Sequence, residues 1–139
     1  YIDSPSAEER LFVGDEWLRT MDVAHVDENG GLHIVDRVDN MLVSGGENIY
    51  PQEVEMVLEG HPAVSAAAVV GGDDEWGERV AAVVVAEGVS AAELDDYCQR
   101  HDSLADFKRP RSYAVTSDSL PRSDTGTLLR DEIRKIYFP

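Results

Sequence analysis

The chain has 139 residues and carries 28 Asp and Glu against 12 Lys and Arg, a net charge of −16. That balance argues against nucleic acid and anionic membranes as partners of the whole surface. Apolar residues make up 42% of the chain, which is ordinary for a globular protein and argues against disorder. No apolar run approaches the about 18 residues that a bilayer span requires, so no membrane span is expected. The length suits one domain with its own core, or one domain plus a remnant of another. Tyr1 and the residues after it resemble neither an initiator nor a signal segment, so the start reads as a cut inside a larger protein. The lone Cys98 excludes an internal disulfide and agrees with a reducing, cytoplasmic compartment. With no Cys/His pairing around it, Cys98 reads as a buried structural thiol.

The predicted elements begin with strands at 17–20 and 24–26. Asn29-Gly30 then signals a hairpin turn into a strand at 32–35. After a hinge-like Arg37-Val38-Asp39 comes a short apolar strand at 41–43, followed by Gly45 and Gly46. Pro51 suits the first turn of a helix running to Glu59, with Glu53 and Glu55 near its positive end and Gly60 as its stop. Residues 63–70 and 80–86, rich in Val and Ala, read as two buried strands joined by a loop over 71–77. Ser90 to Glu93 is a capping box that opens a helix to about Arg100. A last strand is expected over 111–115. Leu128, Leu129, Ile133 and Ile136 have the spacing of a final amphipathic helix. The fold class is therefore α+β: a central short sheet flanked by helices, preceded by a β-hairpin. The boundary falls near Asp39, dividing 1–38 from 39–139.

The basic residues are not spread evenly. Lys108, Arg109 and Arg111 cluster in DFKRPR beside Phe107. In an acidic chain such an island fits either a small anionic ligand held locally or a solvated loop that offsets nearby acids. Charge alone leaves both readings open. His25, His33, His61 and His101 show no metal-ligand spacing, so no protein-bound metal is expected.

Three segments, in order, carry a resemblance to the C-terminal part of adenylate-forming enzymes: acyl- and aryl-CoA synthetases, luciferases and peptide-synthetase adenylation domains. WLRTMDVAHVDENG resembles the family's Tyr-x-Thr-Gly-Asp segment. DRVDNMLVSGGENIYPQEVE resembles its Gly-Arg-x-Asp segment with the strand and helix that follow. LPRSDTGTLLRDEI resembles its Leu-Pro-(Arg/Lys)-x-x-x-Gly-Lys-x-x-Arg segment. The resemblance covers essentially the whole chain and is closest in flavour to 4-chlorobenzoate–CoA ligase. It implies a ligase that joins a small carboxylic acid to CoA through an acyl-adenylate, using ATP with Mg²⁺. It also implies that residues 39–139 form a mobile domain, whose partner is its own N-terminal adenylation domain, and that 1–38 is the end of that domain.

The resemblance assigns roles residue by residue. Asp22 would accept hydrogen bonds from the ribose hydroxyls of ATP, as a carboxylate can from both at once; alone it would read as a strand-end turn residue. Arg37 would contact the nucleotide; alone it would read as a surface ion pair. Asp39 would be the hinge, compatible with an Asx-turn residue. Gly45 and Gly46 would line the pantetheine path, or simply form a tight turn. Phe107, Arg109 and Arg111 would hold the CoA nucleotide through an aromatic face and cations, and Trp76 would face the CoA channel or be a core or rim aromatic.

The chain departs from the pattern in four places: Met21 and Asp36 stand where the family has Gly, Val43 departs from the peptide-synthetase form, and Thr127 stands where the family places its catalytic lysine. That lysine stabilises charge developing on the acid and α-phosphate during adenylation, and Thr127 brings no charge. Lys108, Arg130 and Lys135 are the candidate substitutes. Two rival readings remain: acyl transfer to a carrier-protein thiol, and a non-catalytic binding or regulatory module with the same fold.

Overall fold

A computed structural model describes residues 12–13, 17–74 and 77–139. They belong to two compact units, Tyr1–Asp39 and Asn40–Pro139. In the first, β1 (Phe12–Val13) pairs antiparallel with β2 (Trp17–Leu18). A second antiparallel pair joins β3 (Asp22–Val26) to β4 (Leu32–Arg37). The turn between them is built as the sequence predicts. Gly30 takes φ 82°, and the Asp27 carboxylate accepts from the Asn29 and Gly31 amides at 2.9 and 2.7 Å. It also contacts His33 Nε2 at 2.7 Å, and this bond, with the two amides, holds the Asp27 carboxyl below its ordinary range.

The second unit runs β5 (Leu42–Ser44), β6 (Glu47–Ile49), α1 (Pro51–Glu59), β7 (Val64–Asp74), β8 (Gly77–Ala86), α2 (Ala91–Arg100), β9 (Ser112–Thr116) and α3 (Arg130–Tyr137). Its five strands make one sheet. β8 is central, with β7 antiparallel along one edge. Its other edge takes β9 in parallel over Ala81 to Val85 and β5 antiparallel at Gly77. β6 lies outside β5.

The Val/Ala runs of β7 and β8 are buried on both faces, so they show no polar alternation. Ala67, Val69, Val80, Ala82 and Val84 face α1 and α2, packing with Val54, Leu58, Leu94 and Cys98. Ala68, Val70, Ala81 and Val83 face the other way, packing with Leu120 and Ile133. The result is an α+β unit with helices on both faces of a short sheet.

Several expectations are corrected. A strand that the sequence reading omitted, β6, follows Gly45 and Gly46. The two glycines form the two-residue turn of a hairpin, at φ 58° and 83°. Positive φ at both central positions is the type I′ signature, which by itself calls for glycine. The expected loop over 71–77 is mostly strand: β7 and β8 continue to Asp74 and Gly77. Gly60 ends α1 without a left-handed cap, at φ −69°. Glycine fits there for room, since a Cβ would lie 3.0 Å from the Tyr97 hydroxyl and 3.2 Å from the Val57 carbonyl. The final helix starts only at Arg130, leaving Leu128 and Leu129 before it, and Ile136 is 59% exposed. The helix packs through Ile133 and Tyr137, four residues apart. The capping box at Ser90 forms as read: its hydroxyl accepts from the Glu93 amide and the Glu93 carboxylate accepts from the Ser90 amide.

Cys98 is buried against the sheet, and burial pushes its thiol up from the ordinary value. A folded-state pKa raised in this way favours the neutral thiol. Its stabilising share is complete below the unfolded thiol's value and is lost as pH rises from there through the folded value. Iodoacetamide at pH 8 is therefore expected to leave Cys98 unmodified in the folded protein and to alkylate it once under denaturant, read by intact mass.

Candidate functional site

The hairpin unit brings three of the singled-out residues together. Asp22 opens β3 and Arg37 closes β4, and the register places them opposite each other. Arg37 Nη1 donates to Asp22 Oδ1 and to the Thr20 carbonyl, both at 3.3 Å. Arg37 Nη2 lies 3.9 Å from Asp39 Oδ2, in the 3-10 turn Val38–Asn40. Met21, between Thr20 and Asp22, has φ 64°, the one positive-φ non-glycine among the described residues. The left-handed region costs such a residue about 1 kcal/mol. Its carbonyl accepts from the Val38 amide at 2.9 Å. The strained residue thus ties the start of β3 to the end of β4 and sets Asp22 and Arg37 side by side.

In the second unit, the tip of the β5–β6 hairpin is open: a Cβ at Gly45 or Gly46 would meet nothing within 4 Å. The turn geometry, and not crowding within this unit, is what requires glycine.

The basic island is internally engaged. Arg109 donates to Asp95 on α2 and, through Nε, to Asp106 at 3.1 Å, and its side chain is only 13% exposed. Its link to Asp95 raises the guanidinium pKa further. Arg111 Nη2 reaches the Asp106 carbonyl and carboxylate at 3.2 and 3.3 Å. Arg109 first, then Arg111, hold the Asp106 carboxyl below the usual range. Lys108 pairs with Glu53 on α1 at 2.6 Å. These cations thus offset nearby acids, as one of the two sequence readings has it. Phe107 is 45% exposed and Arg111 43% exposed, so both remain presented to solvent. Trp76 lies outside the described residues.

Thr127 is exposed in a tight loop before α3. The Ser123 amide donates to the Thr127 carbonyl at 2.8 Å, and the Thr127 amide donates to Ser123 Oγ at 3.2 Å. Gly126 sits at φ 87°, and its carbonyl accepts from Arg122 at 2.8 Å. The Leu129 amide closes the loop on the Pro121 carbonyl at 3.0 Å.

Arg130 follows at once. Its Nη1 donates to Glu55 Oε1 and to the Val69 carbonyl at 2.8 Å, and its Nη2 to Glu55 Oε2 at 3.2 Å. Glu55 Oε1 also accepts from the Val69 amide at 2.8 Å. Of the three cations considered as substitutes at Thr127, Arg130 and Lys108 are therefore engaged elsewhere. Lys135 lies on a cavity of about 680 Å³ lined also by Arg79, Asp131, Arg134 and Phe138. Among the described residues no cluster of three or more His, Cys, Asp or Glu is placed to hold a metal ion, and no helix is long and apolar enough to cross a membrane.

Residues 53–127, running from α1 to the Thr127 loop, match the AMP-binding enzyme C-terminal domain. The chain belongs to that family. Among curated relatives, a long-chain-fatty-acid–CoA ligase of Mycobacterium tuberculosis is 40% identical over 140 residues, covering 99% of this chain and 27% of the relative. A fatty acid–[acyl-carrier-protein] ligase of Streptomyces coeruleorubidus is 46% identical over 126 residues, 89% of this chain and 24% of the relative. Among solved structures, o-succinylbenzoate CoA synthetase from Bacillus subtilis with its acyl-adenylate intermediate superposes with a TM-score of 0.88 at 43% identity, covering 96% of this chain and 27% of that one. The same synthetase with ATP and magnesium ion gives 0.86 at 42% identity, with the same coverage. The chain thus spans about a quarter of the relatives' length.

Within this AMP-binding enzyme C-terminal domain, the partner that sequence alone does not supply is that of Glu55. Glu55 lies on α1, as the sequence expects, yet it is buried beside Arg130 and is no exposed dipole partner. The signal was present: Glu55 follows Pro51 by four and precedes Leu58 by three, on the stripe α1 buries. A carboxylate on a buried stripe needs a cation. Arg130→Ala leaves Glu55 buried without one, and is expected to destabilise the protein by about 3 kcal/mol. Removing both charges with Glu55→Met and Arg130→Met is expected to recover much of that loss. Urea unfolding of the two variants checks it.

Proposed function

We propose that the chain is the mobile C-terminal part of an ATP-dependent acid–CoA ligase. The acid would first form an acyl-adenylate with release of pyrophosphate, and the CoA thiol would then displace AMP. The observation that carries this reading is the 40% identity of nearly the whole chain to an acid–CoA ligase; the Asp22/Arg37 pair in the first unit, and the open glycine turn and the Thr127 loop in the second, support it.

In this reading Asp22 accepts from the ribose hydroxyls and Arg37 holds it in line. Asp39, just beyond β4, is the hinge about which the domain changes its presented face. The tip at Gly45 and Gly46 lines the path of the pantetheine arm. Phe107 and Arg111 meet the nucleotide of CoA, Arg109 fixes the shape of their loop through Asp95 and Asp106, and Trp76 belongs to the same channel. Mg²⁺ enters with ATP, held by its phosphates and by the adenylation domain.

Thr127 occupies the position of the lysine that would meet the acid carboxylate and α-phosphate. Without a positive charge there, adenylation loses transition-state stabilisation while thioester formation is spared. For the full-length parent protein, Thr127→Lys is expected to raise pyrophosphate release by about 10²–10³-fold with its preferred acid. A panel of fatty and aromatic acids identifies that acid. Equal rates in both forms would overturn the assigned role of position 127. Silence of both forms across the panel would favour a non-catalytic module.

One observation favours a second acceptor. Arg109 is turned inward onto Asp95, and one relative acts on an acyl-carrier protein. A carrier-protein thiol needs no CoA-nucleotide site. If CoA is the acceptor, Phe107→Ala with Arg111→Ala is expected to raise the KM for CoA about tenfold or more, by loss of the stacked face and the charge. An unchanged KM would move the assignment to the carrier protein.

A further inference from the structure

We propose that Glu78 is a positioning residue for the glycine turn: its carboxylate, seated over Gly71, holds the Val43 amide and so fixes the hairpin at the mouth of the thiol path. The functional half of this proposal rests on the ligase reading above.

The hairpin is short and weakly attached. β5 has three residues, and its closing pair is Ser44 with Glu47. In a two-residue hairpin the closing pair is hydrogen-bonded and the next pair is not, so the Val43 amide points away from β6. It points toward β8, yet β8 registers against β5 only at Ser44 and Gly77. The ladder registers no further pair at Val43, whose antiparallel neighbour on β8 is Glu78. Glu78 Oε2 takes that amide at 3.1 Å. One side chain thus continues the sheet where the backbone ladder stops.

Gly71 makes room for it. On β7, Gly71 pairs with Val80, and Glu78 pairs with Asp73. A Cβ at Gly71 would lie 2.6 Å from Glu78 Oε1 and 2.9 Å from its Cδ. The third near contact is Leu42 Cδ2 of β5 at 3.2 Å, and no backbone atom is among them. Gly71 has no positive φ to require glycine, so its use is space. The carboxylate of β8, the seat on β7 and the amide of β5 form one clamp two residues from Gly45.

The test uses the full-length parent protein with three substitutions. Glu78→Ala removes the acceptor, Glu78→Gln keeps an oxygen at the same reach, and Gly71→Ala displaces the carboxylate without touching it chemically. Glu78→Ala and Gly71→Ala are each expected to raise the KM for CoA about tenfold, the worth of one such hydrogen bond to a charged group. Pyrophosphate release is expected to stay at the parent's rate, and Glu78→Gln to recover most of the loss. A Glu78→Gln variant as poor as Glu78→Ala, or a parallel fall in pyrophosphate release, would overturn the positioning role. Hydrogen exchange at the Val43 amide reads the clamp without any activity. Faster exchange in Glu78→Ala but not in Glu78→Gln supports the clamp even if the protein forms no thioester, in which case only the ligase reading fails. Unchanged exchange overturns the clamp itself.

Discussion

The contact on which the second unit turns is the bidentate pair between Arg130 and Glu55. Arg130 is the first residue of α3, Glu55 lies on α1, and both touch Val69 at the centre of β7. One guanidinium therefore joins the two faces of the sheet. Burying two charges is costly unless every donor and acceptor is met. Here the carboxylate takes the arginine and a backbone amide, and the arginine takes a backbone carbonyl as well. Because Arg130 is immobilised, the loop from Pro121 to Leu129 is closed on its own backbone at one side and anchored through α3 at the other. Thr127 is presented from a fixed loop, and the same anchor keeps Arg130 from acting as a mobile cation at that position.

The cations of this acidic chain follow that pattern elsewhere. Lys108 ties the 3-10 turn Asp106–Lys108 to α1, and Arg109 ties it to α2. A segment with no regular length of its own is thereby held against two helices. This is why the basic island serves as scaffold before it serves any ligand. Phe107 and Arg111 stay at the surface with Asp106, an aromatic face beside a guanidinium whose charge that carboxylate partly offsets. A phosphate meeting Arg111 would have to compete with that carboxylate.

Local chemistry made much of the fold legible. The Asn29-Gly30 turn, Pro51 at the start of α1, the capping box at Ser90 and the doubly buried Val/Ala strands each follow from one residue's conformational or hydrogen-bonding demand. What was missed depends on partners distant in sequence. β6 has too few residues and too polar a face to announce itself, and exists because Leu42 and Ile49 bury together in the core under α1. The extension of β7 and β8 through a glycine and acid-rich stretch is carried by their mutual ladder, which composition does not report. Glu55 looked like a dipole partner because Arg130 is 75 residues away. Motif order brought Asp22 and Arg37 to notice singly, while the β3–β4 register is what sets them in contact.

The two clearest departures from the family pattern act on different physical terms. At Met21 a side chain stands where glycine would be at ease, yet the backbone keeps the left-handed geometry, since the Val38 amide and the Arg37 contacts over-determine it. The cost of about 1 kcal/mol falls on stability and leaves the Asp22 to Arg37 geometry intact. At Thr127 the loop geometry is likewise kept, by Ser123, Gly126 and Arg122. If the proposed role of position 127 holds, however, no neighbouring contact restores the charge that Thr127 does not bring. A backbone departure is absorbed by the structure around it, whereas an electrostatic one is passed on undiminished to whatever chemistry the loop faces. The loop around Thr127 is closed on its own backbone and on Ser123 and Arg122, so the proposed Thr127→Lys substitution changes a side chain with no refolding of the loop that carries it.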